Sequence, residues 1–492
     1  MASLDTSHNN ASYFDAYQSL LKHQHWVIAF SGGLDSTVLL HSVYHFLQTL
    51  RESYCASALD SASTDNVTIP SLSAIHINHQ LQVVSDDWEQ HCQSVCDQLS
   101  VPLAIKKVSV KTEGKGLESA ARQARYAVFE HHLSSISDLP TADTHSVLLM
   151  GHHANDQAET LLMRLFRGAG TSGAAAMPVQ RLLGQSHIAR PLLKYSRADL
   201  TAYAVEHQLA FIEDPSNSDE SFDRNFVRQQ LLPKLEKRWP SVVKLLNRYS
   251  EHASGDAELL ADLARLDLQS VDASKVSNLD DTKASVYGSS LSITACLALS
   301  DKRRSNLLRY WLSAQQLSMP STAQMAQIDN LLLSPSSSAK VQLGAYRLCP
   351  YDDRLYLLSE DTLLKAAQAL EQNITWTFGE SMAINGLGTL SVSESKTLSV
   401  SESKALGDQE EERAGLRKGT YTIGTRQEGL RFRYRGMSRS VKKCFNEHGV
   451  PPWLRNYYPV IYAGDEVAAI AGILVCDDYS QLGACTLDWQ WA

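Results

Sequence analysis

The chain has 492 residues and a mass of 54.4 kDa, with 45 Lys and Arg against 54 Asp and Glu, a formal charge of −9 and a pI near 6.0. A composition that is 43% hydrophobic and 20% charged excludes whole-chain disorder, and the length allows about two to four domains with buried cores. As totals the charges argue against a nucleic-acid partner, although a sum hides any segregation of the two signs along the chain.

The N-terminus MASLDTSHNN has no basic region leading into an apolar stretch, and the longest uncharged apolar run, Val467 to Cys476, is too short to span a bilayer. The expectation is a cytoplasmic protein with no membrane partner. Eight cysteines without a CxxC pair suggest neither a secreted disulfide framework nor a zinc ribbon. Cys92 and Cys96, four apart on a predicted helix, read as two small core residues on one face.

From residue 25 to 210 short apolar runs alternate with amphipathic stretches. HWVIAF precedes a helix from Ser36 to about Leu50; LSAIHIN precedes one from Ser85 to Leu99; PLAIKKVSV precedes one from Leu117 to His132; SVLLMG precedes one from Ala154 to Arg167. This alternation predicts an α/β fold, a Rossmann-like parallel sheet with helices on both faces, whose ligands sit at the carboxyl ends of the strands. Arg51 to Ser71, rich in Ser, Ala and Asp, is expected as a surface loop. After FIEDPSNSDES, Asn225 to about Leu333 reads as helices broken by a flexible insertion, Ser270 to Ser290. TLSVSESK occurs twice in tandem, from Thr389 and from Thr397, and reads as a duplicated hairpin or linker. From Leu416 a small mixed α/β C-terminal domain is expected. The division is therefore 1–217 for the sheet domain, 218–340 for a helical middle domain, 341–415 for a variable linker region and 416–492 for the C-terminal domain.

The strongest chemical signal is Ser31-Gly32-Gly33-Leu34-Asp35-Ser36-Thr37, between a buried strand and an amphipathic helix. Two glycines let the backbone approach an anion, hydroxyls add donors, and the following helix offers free N–H groups and its positive dipole end. A Walker loop would place Lys beside the Ser/Thr, whereas Asp35 stands there. A carboxylate beside bound phosphates makes sense if it holds Mg²⁺. His153, Asp156, Gln157 and Thr160 share one face of the helix starting near Ala154. Asp156 is either the other side of a magnesium site or only a helix cap. His152 and His153 lack further ligands at zinc spacing. Arg122 reads from the sequence as a solvated basic helix edge.

SGGLDST resembles the signature of the PP-loop ATP pyrophosphatases, which split ATP into AMP and pyrophosphate. Four more strings narrow the resemblance: IHINHQL from Ile75, LESAARQARY from Leu117, GHHANDQAET from Gly151, and DPSN from Asp214 followed by RNFVR from Arg224 and LLP from Leu231. In this order, with GLRFRYRG and VKKCFNEHGVPPWLR near the end, the chain resembles the bacterial tRNA(Ile)-lysidine synthase family. The likeness covers about residues 20–250 and 426–459.

The resemblance implies ATP-dependent attachment of free L-lysine to C2 of the wobble cytidine of an isoleucine tRNA with a CAU anticodon. The reaction runs through an adenylated cytidine and changes the tRNA from Met to Ile specificity; dimerisation is left open. It implies ATP binding by Ser31, Gly32, Gly33, Leu34, Asp35, Ser36 and Thr37; fold analogy with parallel-sheet ligand sites puts adenine near Ala29, Phe30 and His76 to Asn78. It also implies catalysis by Asp35, Arg122, His153 and Asp156, magnesium on Asp35 and Asp156, and RNA contacts by Arg224, Arg228, Arg426, Arg431, Lys442, Lys443 and Arg455. Relatives usually show two adjacent acids where this chain has Asn155-Asp156, which puts any role of the first acid in doubt. A cytidine thiolase of the same superfamily would need paired cysteines, and a glutamine-dependent synthetase a glutaminase domain. A non-catalytic nucleotide sensor fused to an RNA-binding tail is the alternative from another class.

Segmental charge agrees with an RNA partner. Leu161–Arg197 carries +6, Phe222–Arg248 +5 and Arg417–Arg455 +8, leaving −28 for the remainder. The last stretch interleaves Phe432, Tyr434, Phe445 and Trp453 with its basic residues, a mixture that suits phosphate neutralisation and base stacking.

Overall fold

His25–Ala29 (β1), uncharged after its first residue, lies inside a six-stranded sheet. In this computed structural model the described residues are 7–60, 69–78, 85–108, 117–137, 146–213, 222–272, 289–315, 317–336, 339–361, 364, 368, 370, 374–384, 388–393, 415–481 and 486–491. They fall into two units, Met1–Leu259 and Leu260–Ala492. The first unit holds β1, β2 (Ser71–Asn78), β3 (Leu103–Lys107), β4 (Ser146–Leu149), β5 (Gln180–Leu183) and β6 (Ser186–Ala189) in the order β3-β2-β1-β4-β6-β5. All pair in parallel except β5, which runs antiparallel to β6.

The pleat sends Trp26 and Ile28 to one face of the sheet and Val27 to the other. Trp26 and Ile28 join a core with Val38, Leu39 and Val43 of α2 (Leu34–Asp60) and with Cys92 and Cys96 of α3 (Ser85–Gln98). Val27 packs with Ile75, Leu148, and Phe129 and Leu133 of α4 (Leu117–Ser137). Helices therefore cover both faces, as the alternation implies. Cys92 and Cys96 are fully buried, and burial pushes both thiols up to about 12, so they act as core residues.

Chain order reverses between β1 and its neighbours β2 and β4, and at such a switch point the two following loops diverge and leave a crevice. One expectation for this unit needs correction, and one element had no signal. Arg51–Asp60 is not loop but the end of α2, because RESYCASALD contains neither Gly nor Pro and continues the helix; 61–68 lie outside the described residues. The β5–β6 hairpin, turning at Gly184 with φ +57°, was hidden in a stretch notable mainly for its arginines.

The chain continues through α5 (Ala154–Phe166), α6 (Thr171–Ala174), α7 (Arg197–Glu206), α8 (Asp223–Phe226), a π-helical turn over Val227–Leu231, α9 (Leu232–Arg238) and α10 (Val242–Asp272). In the second unit α11 (Ile293–Ala298), α12 (Asp301–Ala314) and α13 (Thr322–Leu333) pack around Leu307, Leu308, Trp311 and Ile328. The stretch from 341, expected as variable linker, opens instead with β8 (Val341–Leu343), β9 (Tyr346–Tyr351) and β10 (Arg354–Ser359). These join β7 (Ser290–Ser292) in a sheet ordered β7-β10-β9-β8. Tight turns at Gly344 and at Asp352-Asp353, all with positive φ, make the hairpins.

β11 (Ile374–Thr377), β12 (Met382–Ile384), β13 (Gly388–Ser393), β14 (Gly415–Leu416), β15 (Thr420–Gly424), β16 (Arg431–Tyr434) and β17 (Met437–Ser440) follow. The C-terminal part is mixed α/β: a sheet ordered β11-β15-β18-β19-β20, with β18 (Val460–Ala463), β19 (Glu466–Ile470) and β20 (Leu474–Val475), accompanied by α14 (Val441–Glu447). Thr389–Ser393 of the first TLSVSESK copy lies in β13; the rest of that copy and the whole second copy lie outside the described residues.

Candidate active site

The loop after β1 folds back on its own hydroxyls. Ser31 N donates to Ser36 Oγ at 3.2 Å, Ser36 Oγ donates to Gly33 O at 3.0 Å, and Thr37 Oγ1 donates to Gly33 O at 3.0 Å. Gly32 has φ +81°, and a Cβ there would meet Cys92 Sγ at 2.9 Å. The strand leading in is pinned alongside: Phe30 N donates to Ile75 O, and His76, kept neutral by burial, donates from Nδ1 to Phe30 O at 2.9 Å. Leu34 begins α2, so its first N–H groups and positive dipole end face the same space.

The loop after β4 approaches from the other side of the switch point. A Cβ on Gly151 would stand 2.8 Å from Asp35 O and 3.1 Å from Ser36 N; only glycine lets β4 exit this close. His153 then caps α5, with its ring accepting from Asn155 N and Asp156 Oδ2 accepting from His153 N at 3.1 Å. Asp156 is therefore a cap, but its other oxygen takes Arg224 Nη2 at 2.7 Å and Arg228 Nη2 at 2.9 Å. Glu159, 1% exposed and one turn on, accepts from Arg224 Nε at 2.8 Å and Arg228 Nε at 2.7 Å. Burial pushes the Asp156 carboxyl up, but His153 and Arg224, helped by His152 and Arg228, more than offset it and hold it down to about 2.

Asp35 stands in a different state. Its Oδ2 is 3.6 Å from His153 Nε2 and 3.9 Å from Arg197 Nη1, while its buried Oδ1 has no hydrogen-bond partner. Burial raises its carboxyl, and the opposing pull of His153 and Arg197 is insufficient to cancel this. Asp156 Oδ2 lies 3.5 Å from the same His153 Nε2, so the two carboxylates converge on one imidazole edge. Among the described residues no group of three or more His, Cys, Asp and Glu could hold a metal, which fits a zinc site poorly. Two carboxylates with one unpaired oxygen beside a phosphate cradle fit Mg²⁺, which completes its shell with water and substrate phosphate.

The structure thus brings Ser31–Thr37, His153 and Asp156 together. Arg122 is exposed on α4, where Nη2 donates to the Tyr126 hydroxyl at 3.2 Å. Gln157, on the shared helix face, is committed to Met177 N and O. Arg224 and Arg228, expected on an RNA surface, have their guanidinium groups on Asp156 and Glu159. Sequence reasoning missed Glu159, Gly151 and Arg197. The i,i+3 spacing of Asp156 and Glu159 and the i,i+4 spacing of Arg224 and Arg228 put each pair on one helix face, a signal that could have found the network. Asn155 accepts from Arg197 N at 3.0 Å and so anchors the start of α7.

In the second unit Lys442 and Lys443 are exposed on α14, and Arg431 is exposed on β16 with Nε on Ser438 Oγ at 3.0 Å. Arg426 is half-buried, and Arg455, also half-buried, donates to Val450 O at 2.8 Å. The aromatic residues between them need correction. Phe432 and Phe445 are core residues, and Trp453 packs on Tyr351 and Tyr356. Tyr434 alone of the four carries arginines, Arg435 at 5.5 Å and Arg439 at 5.6 Å from its ring centre. Three aromatics that read as stacking surfaces are needed to close a small core.

Comparison with known families agrees with this layout. A PP-loop domain model matches residues 6–235, a TilS substrate binding domain model 291–356 and a TilS substrate C-terminal domain model 421–491. The chain is 32% identical to the tRNA(Ile)-lysidine synthase of Coxiella burnetii, over 96% of this chain and 93% of that one. It is 34% identical to that of Serratia proteamaculans, over 95% of both. With that of Pseudomonas putida the identity is 37%, over 94% of this chain and 95% of the relative.

Proposed function

The chain belongs to the tRNA(Ile)-lysidine synthase family, and from that premise we propose how its own residues divide the work. It is a ligase that uses ATP to join lysine to an isoleucine tRNA. The single observation that carries the residue assignment is Asp35. It presents an unpaired buried carboxylate oxygen between a glycine-rich cradle and a second carboxylate.

In this reading Ser31–Thr37 hold the ATP phosphates through backbone N–H groups, with the Ser31, Ser36 and Thr37 hydroxyls turning from their internal partners to the nucleotide. Asp35, with Asp156 across the His153 ring, holds Mg²⁺, which would neutralise phosphate charge where a Walker lysine is lacking. Arg122 stabilises charge on the cytidine as its C2 oxygen is adenylated. The lysine ε-amine, its ammonium proton lost to solvent, then attacks C2; the bond from C2 to the adenylated oxygen breaks and AMP leaves. Lysine arrives as an ammonium. Asp156, held near pKa 2 with two arginines on its Oδ1 alone, is a poor proton acceptor but, through Oδ2, a cation partner. Arg224 and Arg228 keep Asp156 ionised and hold Glu159 in place, and RNA contact is secondary for them.

The tRNA body, with its CAU anticodon, is gripped by Arg426, Arg431, Lys442, Lys443 and Arg455 of the 416–492 domain and by the middle region, while 1–217 carries the chemistry. A cytoplasmic location follows from the substrates, and no helix among the described residues is long and apolar enough to cross a membrane. The test is pyrophosphate release with ATP and Mg²⁺. Release that requires a CAU-anticodon tRNA and lysine together supports the reading, whereas ATP binding without turnover under any combination sinks it.

A further inference from the structure

Around Tyr126 the first unit gathers guanidinium groups without an acid. Arg122 and Arg181 each stand with Cζ 5.0 Å from the Tyr126 ring centre. The Tyr126 hydroxyl takes Arg122 Nη2 at 3.2 Å, and Arg181 and Arg190 act on it as well. None of the ion pairs among the described residues involves Arg122, Arg181 or Arg190. Arg190 is 3% exposed, at the end of β6; one nitrogen donates to Pro178 O at 2.8 Å, and its Nε has no hydrogen-bond partner. Burial lowers its pKa, and repulsion from Arg181 and Arg122 works in the same direction against the pull of Tyr126. Like charges held this close, one with an orphaned donor, are stabilised when an oxyanion sits among them.

The surroundings decide which oxyanion. Leu161–Arg197 has six basic residues and no acid, and Val179 and Leu182 beside Arg181 are 56% and 64% exposed. An open face on which three arginines outnumber Glu130, which stands at the Gly184 turn, suits a polyanion better than one small carboxylate. The place is also specific. β6 neighbours β4, and Arg190 and Arg122 both bear on His152, next in chain to the His153 cap. The cluster is built on β5, β6 and α4, whereas the triphosphate cradle is built on the loop after β1.

We propose that Arg181 and Arg190, braced on Tyr126 beside Arg122, form a phosphate subsite for the RNA backbone next to the reacting cytidine. This rests on the RNA-modifying function proposed above. Arg preference follows from its planar fork, which meets two phosphate oxygens at once. The experiment measures binding of an anticodon stem-loop to the full chain against salt, together with KM values for ATP and lysine on whole tRNA. Arg181→Ala should weaken RNA binding about threefold to tenfold and reduce the log–log salt slope by about 0.7, with both KM values unmoved. Arg190→Lys, which keeps the charge in a buried place, should weaken binding less than Arg181→Ala. Methylphosphonates at the phosphates flanking the cytidine should cause the same loss in wild type and no further loss in Arg181→Ala.

Unchanged binding and slope in both variants would overturn the subsite. So would a rise in the lysine KM at constant RNA affinity, which would give the cluster to lysine's carboxylate, or a methylphosphonate loss that adds fully to that of Arg181→Ala. Wild-type protein that neither binds the RNA nor consumes lysine would overturn the parent reading instead.

Discussion

At the carboxyl ends of β1 and β4 charges are buried against one another, whereas between Arg417 and Arg455 most lie at the surface of an apolar core, with Arg426 and Arg455 half-buried and Arg439 paired with Glu447 at 2.7 Å. Asp156, Glu159, Arg224 and Arg228 form four strong ion contacts with side-chain exposures of 8%, 1%, 27% and 28%. Lys443, by contrast, is 72% exposed, and its contact with Glu447 is a loose 3.9 Å. Buried pairs fix geometry, and removing one member leaves the others uncompensated. Exposed lysines contribute little to the fold but remain available to phosphate. The same residue types thus serve architecture in one place and long-range attraction in the other.

The sharpest way to break this comparison is Glu159→Ala. With the acid gone, two guanidinium groups keep only Asp156, and the loss should be about 3–5 kcal/mol of stability, seen as a large drop in urea midpoint. An exposed-pair value below about 1 kcal/mol would show that the network is not the brace described. Gly151→Ala comes next. Its Cβ must displace the Asp35 backbone, costing about 1–3 kcal/mol and disproportionate loss of ATP turnover, because the strain falls on the phosphate loop. A variant with wild-type turnover would remove the close-approach argument.

Acid titration sharpens the same contrast. Asp156 has a folded pKa of about 2 against an ordinary 3.8, so its contribution is complete above the ordinary value and is lost as pH falls through about 2. His152, whose pKa burial lowers to about 3 from 6.5, adds stability that is complete above 6.5 and lost as pH falls toward 3. Stability measured from pH 7 to 2 should therefore decline in wild type, and Asp156→Asn should flatten the part below about pH 4. A wild-type decline that Asp156→Asn leaves unchanged there would contradict the ion network. The smallest expected effect on the fold is Lys442→Ala with Lys443→Ala. The melting temperature should hold, while the tRNA salt slope falls by about 1.4–1.8; an unchanged slope would take α14 out of the RNA interface.

Much of the catalytic architecture was legible because its signals are local. A charge-free strand, SGGLDST and the following helix are contiguous, so periodicity and glycine placement identify the turn and its anion-binding end. The His153 cap and its i+3 acid are equally local. The Arg224–Asp156 contact joins residues 68 apart, and no local pattern reports it. The aromatic residues misled for a related reason. Phe432 and Phe445 sit among arginines in sequence, yet β16 and α14 turn them inward and the charges outward. Alternation within a strand and spacing within a helix decide direction, and one-dimensional proximity to charge does not. The β7–β10 sheet was obscure because its first strand, Ser290–Ser292, is three residues long and lies far in sequence from β8–β10.

The most direct measurement is mass spectrometry of tRNA nucleosides after incubation with ATP, Mg²⁺ and isotope-labelled lysine, run beside tRNA affinity for wild type and Asp35→Ala. The account predicts labelled lysidine with wild type, and with Asp35→Ala a loss of label of about a thousandfold or more at tRNA affinity within about twofold. Label transfer by Asp35→Ala at a rate near wild type, or its loss together with tRNA binding, would contradict the assignment of chemistry to the loop end of the first unit.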